Sequence, residues 1–460
     1  MIVYLLLVQY GGIFNPGIYN HETHELIATW SDLVTDDIND TTKPFYQSIS
    51  GGLITIMPMD GYTDTTYDGC DLYLDDYVQS LYCASGGITF KFPFNVASVI
   101  LSNGLRCNAP ISGFNETEQL TITYNNAEYI GSDSNPYLMM YKIPDNITSL
   151  EVNEKTKIIN LFYIDGFTGS QLSSITIPNS IQDIPSKLTA MSPLLKNENN
   201  LHGNAYYAGN PENPYIVLME AKDTTITGCE INPNTKFIGM QAFDGCTSLT
   251  NINLPNSVTN IEGMAFRKCG LTSINIPNSV VKIDVQAFGQ TQLTTVTLPN
   301  SIEFLGRSIF NLCKSLTTVN IPEKITFIPD NFCYFCNSLT NVTTHDNIEI
   351  IGRTAFFRAI FTNFDFGKKL KCIKRSAFSN CANLNNVVLP NTIKRIEASA
   401  FASCSSLTKL TILATTPPNL VNINAFPINL ATIYVPKGSL DSYKTATNWT
   451  SFADKFVELS

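Results

Sequence analysis

The 460-residue chain carries 29 Lys and Arg against 39 Asp and Glu, a formal net charge of −10. At 44% hydrophobic and 15% charged, it holds enough apolar side chain for one large core or several ordinary ones and is not a disordered chain. Its Lys and Arg gather into nothing larger than pairs such as Lys368–Lys369. That excludes a nucleic-acid backbone or an anionic membrane surface as partner, since both need a basic patch.

The chain opens with the apolar run Ile2–Val8, which stops at Gln9 and is followed by Tyr10-Gly11-Gly12-Ile13. A secretory signal needs a basic start and a small-residue cleavage site, yet the first Lys or Arg is Lys43. The run therefore reads as a buried strand rather than an export signal, and the Met at position 1 points the same way. No stretch of 18 apolar residues follows, so no helical membrane insertion is expected. Residues 1–150 carry short β-like runs at Leu53–Met57, Ile88–Phe92, Ser98–Leu101, Leu120–Tyr124 and Tyr137–Ile143, separated by Gly, Asn, Asp and Pro. They predict an all-β anchoring or docking module, a sandwich or small barrel, with His24–Val34 as a short helix. His21-Glu22-Thr23-His24 has the wrong spacing for a zinc helix. The acidic stretch Asp60, Asp64, Asp68, Asp71, Asp75 and Asp76 lacks the EF-hand pattern and its glycine. Both read as solvated surface.

Residues 151–225 form a transition containing a degenerate repeat, Leu172-Ser173-Ser174-Ile175-Thr176-Ile177-Pro178-Asn179-Ser180-Ile181. It also contains a Tyr-rich insertion around Tyr206, Tyr207 and Tyr215. From 226 to 415 a unit of 22–23 residues takes over. It is clearest at Leu249-Thr250-Asn251-Ile252-Asn253-Leu254-Pro255-Asn256-Ser257-Val258, and the frame returns at Leu271, Leu293, Leu316, Leu339, Phe361, Leu384 and Leu407. A second landmark keeps step, in Ala242-Phe243, Ala265-Phe266, Ala287-Phe288, Ile309-Phe310, Ala355-Phe356, Ala377-Phe378 and Ala400-Phe401. In L-x-x-I-x-I the last two apolar positions share one face of a short strand. Pro-Asn-Ser ends that strand, because Pro donates nothing to a ladder and Asn and Ser favour turns. The Ala-Phe segment returns to the core in a helical or 3₁₀ turn. One such unit buries too little to offset the ordering of its own backbone. The repeats must stack, as an α/β leucine-rich repeat solenoid with a curved parallel sheet.

The consensus L-T-x-I-x-I-P-N-S-V-x-x-I-x-x-x-A-F-x-x-C-x-S-L resembles the BspA-like class of leucine-rich repeat. The resemblance covers about residues 170–415. It extends to the flanking segments Gly203–Leu218 and Ile433-Tyr434-Val435-Pro436-Lys437-Gly438-Ser439, so that 416–460 reads as a C-terminal cap. It implies a non-enzymatic adhesion or recognition protein on an exterior surface, cell-bound or secreted, binding a protein or glycan of a host surface or matrix. Residues 1–150 share none of this pattern. The alternative is a virion structural component, such as a phage tail or head-decoration protein, docking to other virion proteins through 1–150. Homo-oligomerisation stays open.

Cys246, Cys269, Cys313, Cys336, Cys381 and Cys404 recur at one repeat position and read as buried reduced thiols spacing a structural ladder with the seven phenylalanines above. Cys333-x-x-Cys336 lacks a second pair, so no metal is expected, and no motif calls for a cofactor or a catalytic residue. The candidate ligand-binding surface is the outward face of each strand: Asn251 and Asn253, Ser273 and Asn275, Thr295 and Thr297, Thr318 and Asn320. It continues through Asn341 and Thr343, Asn363 and Asp365, Asn386 and Val388, and Lys409 and Thr411. These small amides and hydroxyls suit a polar ligand without ring stacking. Tyr206, Tyr207 and Tyr215 are a second candidate surface.

Overall fold

The computed structural model describes residues 120–459, except 132–136, 138, 144–145, 160–170 and 185–186, together with the backbone of eight strands ahead of residue 120. The chain divides into two compact units, Met1–Asp145 with Val152–Thr168 and Ser180–Gln182, and Asn146–Glu151 with Gly169–Asn179 and Asp183–Ser460. The apolar run Ile2–Val8 and His21–His24 lie outside the described residues, as do the acidic positions other than Asp71.

Three mixed sheets make up the first unit. One runs in the order Leu26–Thr29, Gly17–Tyr19, Cys70–Leu74, Val96–Leu101, and another in the order Val34–Thr35, Phe45–Ser50, Leu53–Pro58, Ile88–Phe90. The segment His24–Val34, expected as a helix, therefore carries strand at both of its described stretches. Its Leu26-Ile27-Ala28-Thr29 pairs antiparallel with Gly17–Tyr19, and pairing overrides a weak helical pattern. The third sheet joins Ile158–Ile159, Met139–Lys142, Ala127–Gly131 and Leu120–Tyr124. Its hairpin turns at Asn125-Asn126, both left-handed (φ 46° and 66°), the pair of conformations that a two-residue type I′ turn requires and that Asn accepts. Parallel pairs, such as Cys70–Leu74 with Val96–Leu101, occur in all three sheets.

The second unit is a right-through stack of repeats, as the periodicity requires, and each repeat contributes three hydrogen-bonded sides rather than one. On the first side lies the expected L-x-x-I-x-I strand: Thr295–Val296, Thr318–Asn320 and Asn341–Thr343 form one parallel group. Val387–Leu389, Lys409–Ile412, Thr432–Val435 and Phe456–Glu458 form the next. Isolated bridges at Asn253↔Asn275 and Asn363↔Asn386 extend this ladder. The second side sits just after the Pro-Asn-Ser turn and pairs more regularly. Phe237–Ile238, Asn260–Ile261, Lys282–Ile283 and Phe304–Leu305 run in parallel. So do Phe327–Ile328, Ile350–Ile351, Cys372–Ile373, Arg395–Ile396 and Asn419–Leu420. The Tyr-rich insertion starts this ladder: Leu201–His202, Ala205–Ala208 and Val217–Ala221 pair antiparallel, and Val217 then pairs parallel with Phe237.

The third side replaces the expected helical turn. Each Ala-Phe segment carries two left-handed residues, Met264 and Lys268 (φ 58° and 60°) in one repeat, Ser376 and Asn380 (56° and 63°) in another. These rotate alternate N–H groups along the stack. Met264, Phe266 and Lys268 donate to Val285, Ala287 and Gly289 of the next repeat at 2.8 Å, while Ala265, Arg267 and Cys269 close turns within their own. A helix would keep every bond local; this turn shares half of them with its neighbour, so the backbone is satisfied only when repeats are stacked.

Inside, the phenylalanines form a continuous column. Phe243, Phe266, Phe288 and Phe310 stack at 5.3–5.8 Å between ring centres and within 11° of parallel, and Phe378, Phe401 and Phe426 do the same further on. The stacking breaks at Phe332, which meets Phe310 edge-on at 85°. In that repeat, Phe332-Cys333 stands where the others have Ala-Phe, so large and small residues are exchanged and both are fully buried. The C-terminal end is closed by buried Tyr443, Trp449 and Phe456. The Tyr443 hydroxyl donates to the Ala414 carbonyl and the Trp449 indole N–H to the Pro418 carbonyl, each at 2.8 Å.

Candidate ligand-binding surfaces

The outward face of the first ladder gathers the sequence-predicted residues into two rows, because side chains two apart on a strand point the same way and parallel strands repeat at about 4.8 Å. Register places Thr295, Thr318 and Asn341 side by side, then Asn320 beside Thr343. Asn253 bridges Asn275, and Asn363 bridges Asn386. Asn251, Asn253, Ser273, Asn275, Thr295, Thr297, Asn341, Thr343, Asn363, Asp365 and Asn386 are exposed, whereas Thr318, Asn320 and Thr411 are partly buried.

Two of these residues are already engaged. The Asn320 carboxamide clamps the neighbouring repeat, donating to the Leu298 carbonyl at 2.8 Å and accepting from the Leu298 N–H at 2.7 Å. It supplies the pair of bonds that a longer ladder would make. The Asp365 carboxylate accepts from the Gly367 N–H at 3.0 Å, holding the turn after its strand. The remaining exposed amides and hydroxyls are the groups a ligand could reach.

Sequence reasoning missed how the second row ends. Val388 aligns with Thr411, Thr411 with Tyr434 and Tyr434 with Val457, and Val388 and Val457 are 42% and 46% exposed. The row therefore finishes on an apolar step around one tyrosine ring. The signal was present in Ile433-Tyr434-Val435, whose alternation matches the strand pattern, but the segment reads first as a cap.

The second candidate surface is divided by burial. Tyr206 and Tyr215 are partly exposed, but Tyr207 is 2% exposed. Its ring meets Tyr215 edge-on at 5.4 Å, its hydroxyl accepts from the Asn232 N–H at 3.4 Å, and burial raises its pKa far above the ordinary tyrosine value. Tyr207 floors an open cavity of about 280 Å³ between Ser174–Thr176 and Ala208–Asn210.

The cysteine column does more than fill space. Cys269, Cys313, Cys336, Cys381 and Cys404 each direct Sγ at the carbonyl of a phenylalanine in the preceding repeat (Phe243, Phe288, Phe310, Phe356 and Phe378) at 3.0–3.1 Å. Thr291, which replaces Cys in its repeat, instead puts its hydroxyl on the carbonyl of Phe288 in its own repeat at 2.8 Å. Ala359 fills the same position of its own repeat, fully buried and with no side-chain donor, so the column takes a small side chain and in most repeats one that donates. Burial pushes the Cys313 and Cys404 thiols up to about 12 and Cys246 to about 11, so these groups are neutral thiols and not nucleophiles. The described cysteines form no disulfide.

One charged cluster lies on the second ladder. The Lys282 ammonium contacts Asp183, Glu262 and Asp284 at 2.6, 3.0 and 3.1 Å, and Asn260 donates to the other Glu262 oxygen at 3.1 Å. Burial raises the Glu262 carboxyl to about 8, opposed by the Lys282 charge. Lys282 ties the degenerate repeat, through Asp183, to the regular array. Among the described residues no group of three or more His, Cys, Asp or Glu could hold a metal ion.

Residues 221–336 and 326–443 match the BspA type Leucine rich repeat region, in six copies. No curated protein matches the sequence. Solved structures that resemble it include a leucine rich cell surface protein from Faecalibacterium prausnitzii, 18% identical over 71% of this chain and 98% of that one, TM-score 0.30. The T. pallidum Leucine Rich Repeat protein is 24% identical over 39% and 75%, TM-score 0.31. The pneumococcal vaccine antigen PcpA is 18% identical over 74% and 96%, TM-score 0.32. At those TM-scores the likeness carries no argument about function. The match to the repeat family, together with the stacked 22–23-residue units, is decisive: over residues 221–443 the chain belongs to the BspA-type leucine-rich repeats.

Proposed function

We propose that the protein is a non-enzymatic recognition or adhesion protein displayed on an exterior surface, binding a host-surface or matrix ligand through the outward face of its first ladder. The observation that supports this reading is the pair of rows from Asn251 to Asn386, where exposed amides and hydroxyls recur at strand spacing. Such rows offer an extended polar ligand donors and acceptors on most rungs, the Thr318–Asn320 rung being the partly buried exception. Residues 1–150 serve on this reading to anchor or orient the array. Among the described residues no helix is long and apolar enough to cross a membrane. The reading of the chain as a virion component gains nothing from the residues described.

The test is a screen of the full-length protein against arrays of glycans and matrix proteins, run beside a variant carrying Asn253→Ala, Asn275→Ala and Thr297→Ala. These exposed side chains hold no partner across the core, so the variant folds. A ligand that binds the native protein and loses at least tenfold in the variant supports the proposal. Equal binding by both proteins removes the ladder face from it.

A further inference from the structure

We propose a second binding site, for a carboxylated sugar, on the turn side of the repeats at Tyr334, Phe335, Phe357 and Arg358. It is separate from the first ladder and does not depend on that face binding anything. The two residues that follow the Ala-Phe pair are polar or small in most repeats, as in Asp244-Gly245, Arg267-Lys268, Gly289-Gln290 and Ser379-Asn380. In two adjacent repeats they become Tyr334-Phe335 and Phe357-Arg358. The turns are directly bonded, Phe335 N–H donating to the Phe357 carbonyl at 3.0 Å. Tyr334 stacks on Phe357 at 5.3 Å and 26°, Phe335 touches Tyr334 at 4.6 Å and Phe357 at 5.2 Å. All three rings are partly exposed and Arg358 is exposed.

The fold does not require aromatic residues here. Phe335 is left-handed (φ 59°), as is its counterpart in each repeat, whether Gly245, Lys268 or Asn380. Gly and Asn adopt that backbone most readily and an aromatic residue does not. The rings are outside the phenylalanine column and partly exposed, packing chiefly on one another.

The ligand class follows from what the cluster presents. The Arg358 guanidinium lies 4.9 Å over the Phe335 ring and 5.9 Å from that of Phe357. The rings hold this exposed guanidinium beside them by cation–π attraction. A planar, pre-positioned guanidinium selects a carboxylate in bidentate geometry. Beside it the rings span about one pyranose, whose C–H face packs on aromatic surface. Charge agrees: residues 301–400 contain twelve Lys and Arg against seven Asp and Glu, a net of +5 in a chain of net −10. A uronic or sialic acid residue satisfies both halves of the site, whereas a neutral sugar leaves the guanidinium idle.

The experiment uses the full chain with two probes, galacturonate tetrasaccharide and sialyllactose, in titration calorimetry. Methyl-esterified galacturonate and a Glu-rich peptide serve as comparisons. Binding to one or both acid sugars is expected, and which one binds identifies the source of the carboxylate. The methyl ester should bind at least tenfold more weakly, as should the acid sugar to Arg358→Ala. Phe335→Asn, which suits the left-handed backbone and keeps the turn, should lose about tenfold too. Both variants should retain the native melting temperature within a few degrees. The proposal is overturned if neither acid sugar binds, if ester and acid bind alike, or if neither variant weakens binding. Tighter binding of the Glu-rich peptide, or self-association abolished by Arg358→Ala, would equally overturn it in favour of a protein partner.

Discussion

Replacing Cys381 decides whether the cysteine column is a set of hydrogen-bond donors or of apolar spacers. Cys381 is fully buried and its Sγ lies 3.1 Å from the Phe356 carbonyl, which also accepts the Ala359 N–H at 3.0 Å. Cys381→Ala removes the thiol's bond to that carbonyl, worth about 1 kcal/mol, and leaves a space the size of one sulfur, worth about another. The loss should be about 2 kcal/mol, or roughly 4–8 °C in melting temperature for an array of this length. Cys381→Ser keeps a donor of similar size in place of the thiol, facing the same Phe356 carbonyl, and should cost less than Ala. If the site only needed an apolar filler, the order would reverse, because a buried hydroxyl without a partner costs about 1–3 kcal/mol. The assay is thermal and urea unfolding of the full chain followed by far-UV circular dichroism. Serine more damaging than alanine would refute the donor account.

Other outcomes follow from the same geometry. The buried column thiols should resist iodoacetamide at pH 8 in the folded protein and react only on unfolding, since burial holds Cys313 and Cys404 near 12; mass spectrometry of native and urea-treated samples checks this. Phe332→Ala alone should cost roughly 3–5 kcal/mol, but paired with Cys333→Phe it restores the Ala-Phe order of the other repeats, so a double-mutant cycle in urea should show strong favourable coupling. Asn320→Ala should lower stability by about 1–2 kcal/mol through its two lost backbone bonds, whereas exposed Asn253→Ala should leave the melting temperature unchanged. Because the folded Glu262 carboxyl is raised to about 8, the folded state binds the extra proton and this group's contribution is present below about pH 4.5. It is lost as pH rises towards 8. Glu262→Gln should flatten that decline in stability measured from pH 5 to 8.

The solenoid was legible because its signal is a period. Leu249, Leu271 and Leu293, with Phe243, Phe266 and Phe288 in step, leave no other way to bury those side chains. The second ladder was harder to see. Its strands are two residues long, such as Lys282–Ile283, so they carry no alternation, only one recurring buried Ile. The left-handed turns around Ala-Phe were illegible because most occupy Gln, Ser, Lys or Met rather than Gly, and their conformation is imposed by bonds to the next repeat. Period two puts the strand-face residues on the outward side, where most are exposed and Thr318, Asn320 and Thr411 are partly buried. Their engagement was not legible: nothing in the sequence distinguishes Asn320, clamped on Leu298, from Asn275 beside it in type. The rings of Tyr334, Phe335 and Phe357 carry no strand alternation, because they lie on the turns, where neighbouring repeats place polar or small residues.

The most direct test of the ladder face is hydrogen–deuterium exchange on the full chain, with and without the ligand drawn from the glycan and matrix screen. The account predicts added protection in 293–298, 316–321 and 341–343, the strands beneath the Asn and Thr rows, with little change in the Ala-Phe turns. Protection confined to the turns or to residues 1–150, with the first ladder unaffected, would contradict it.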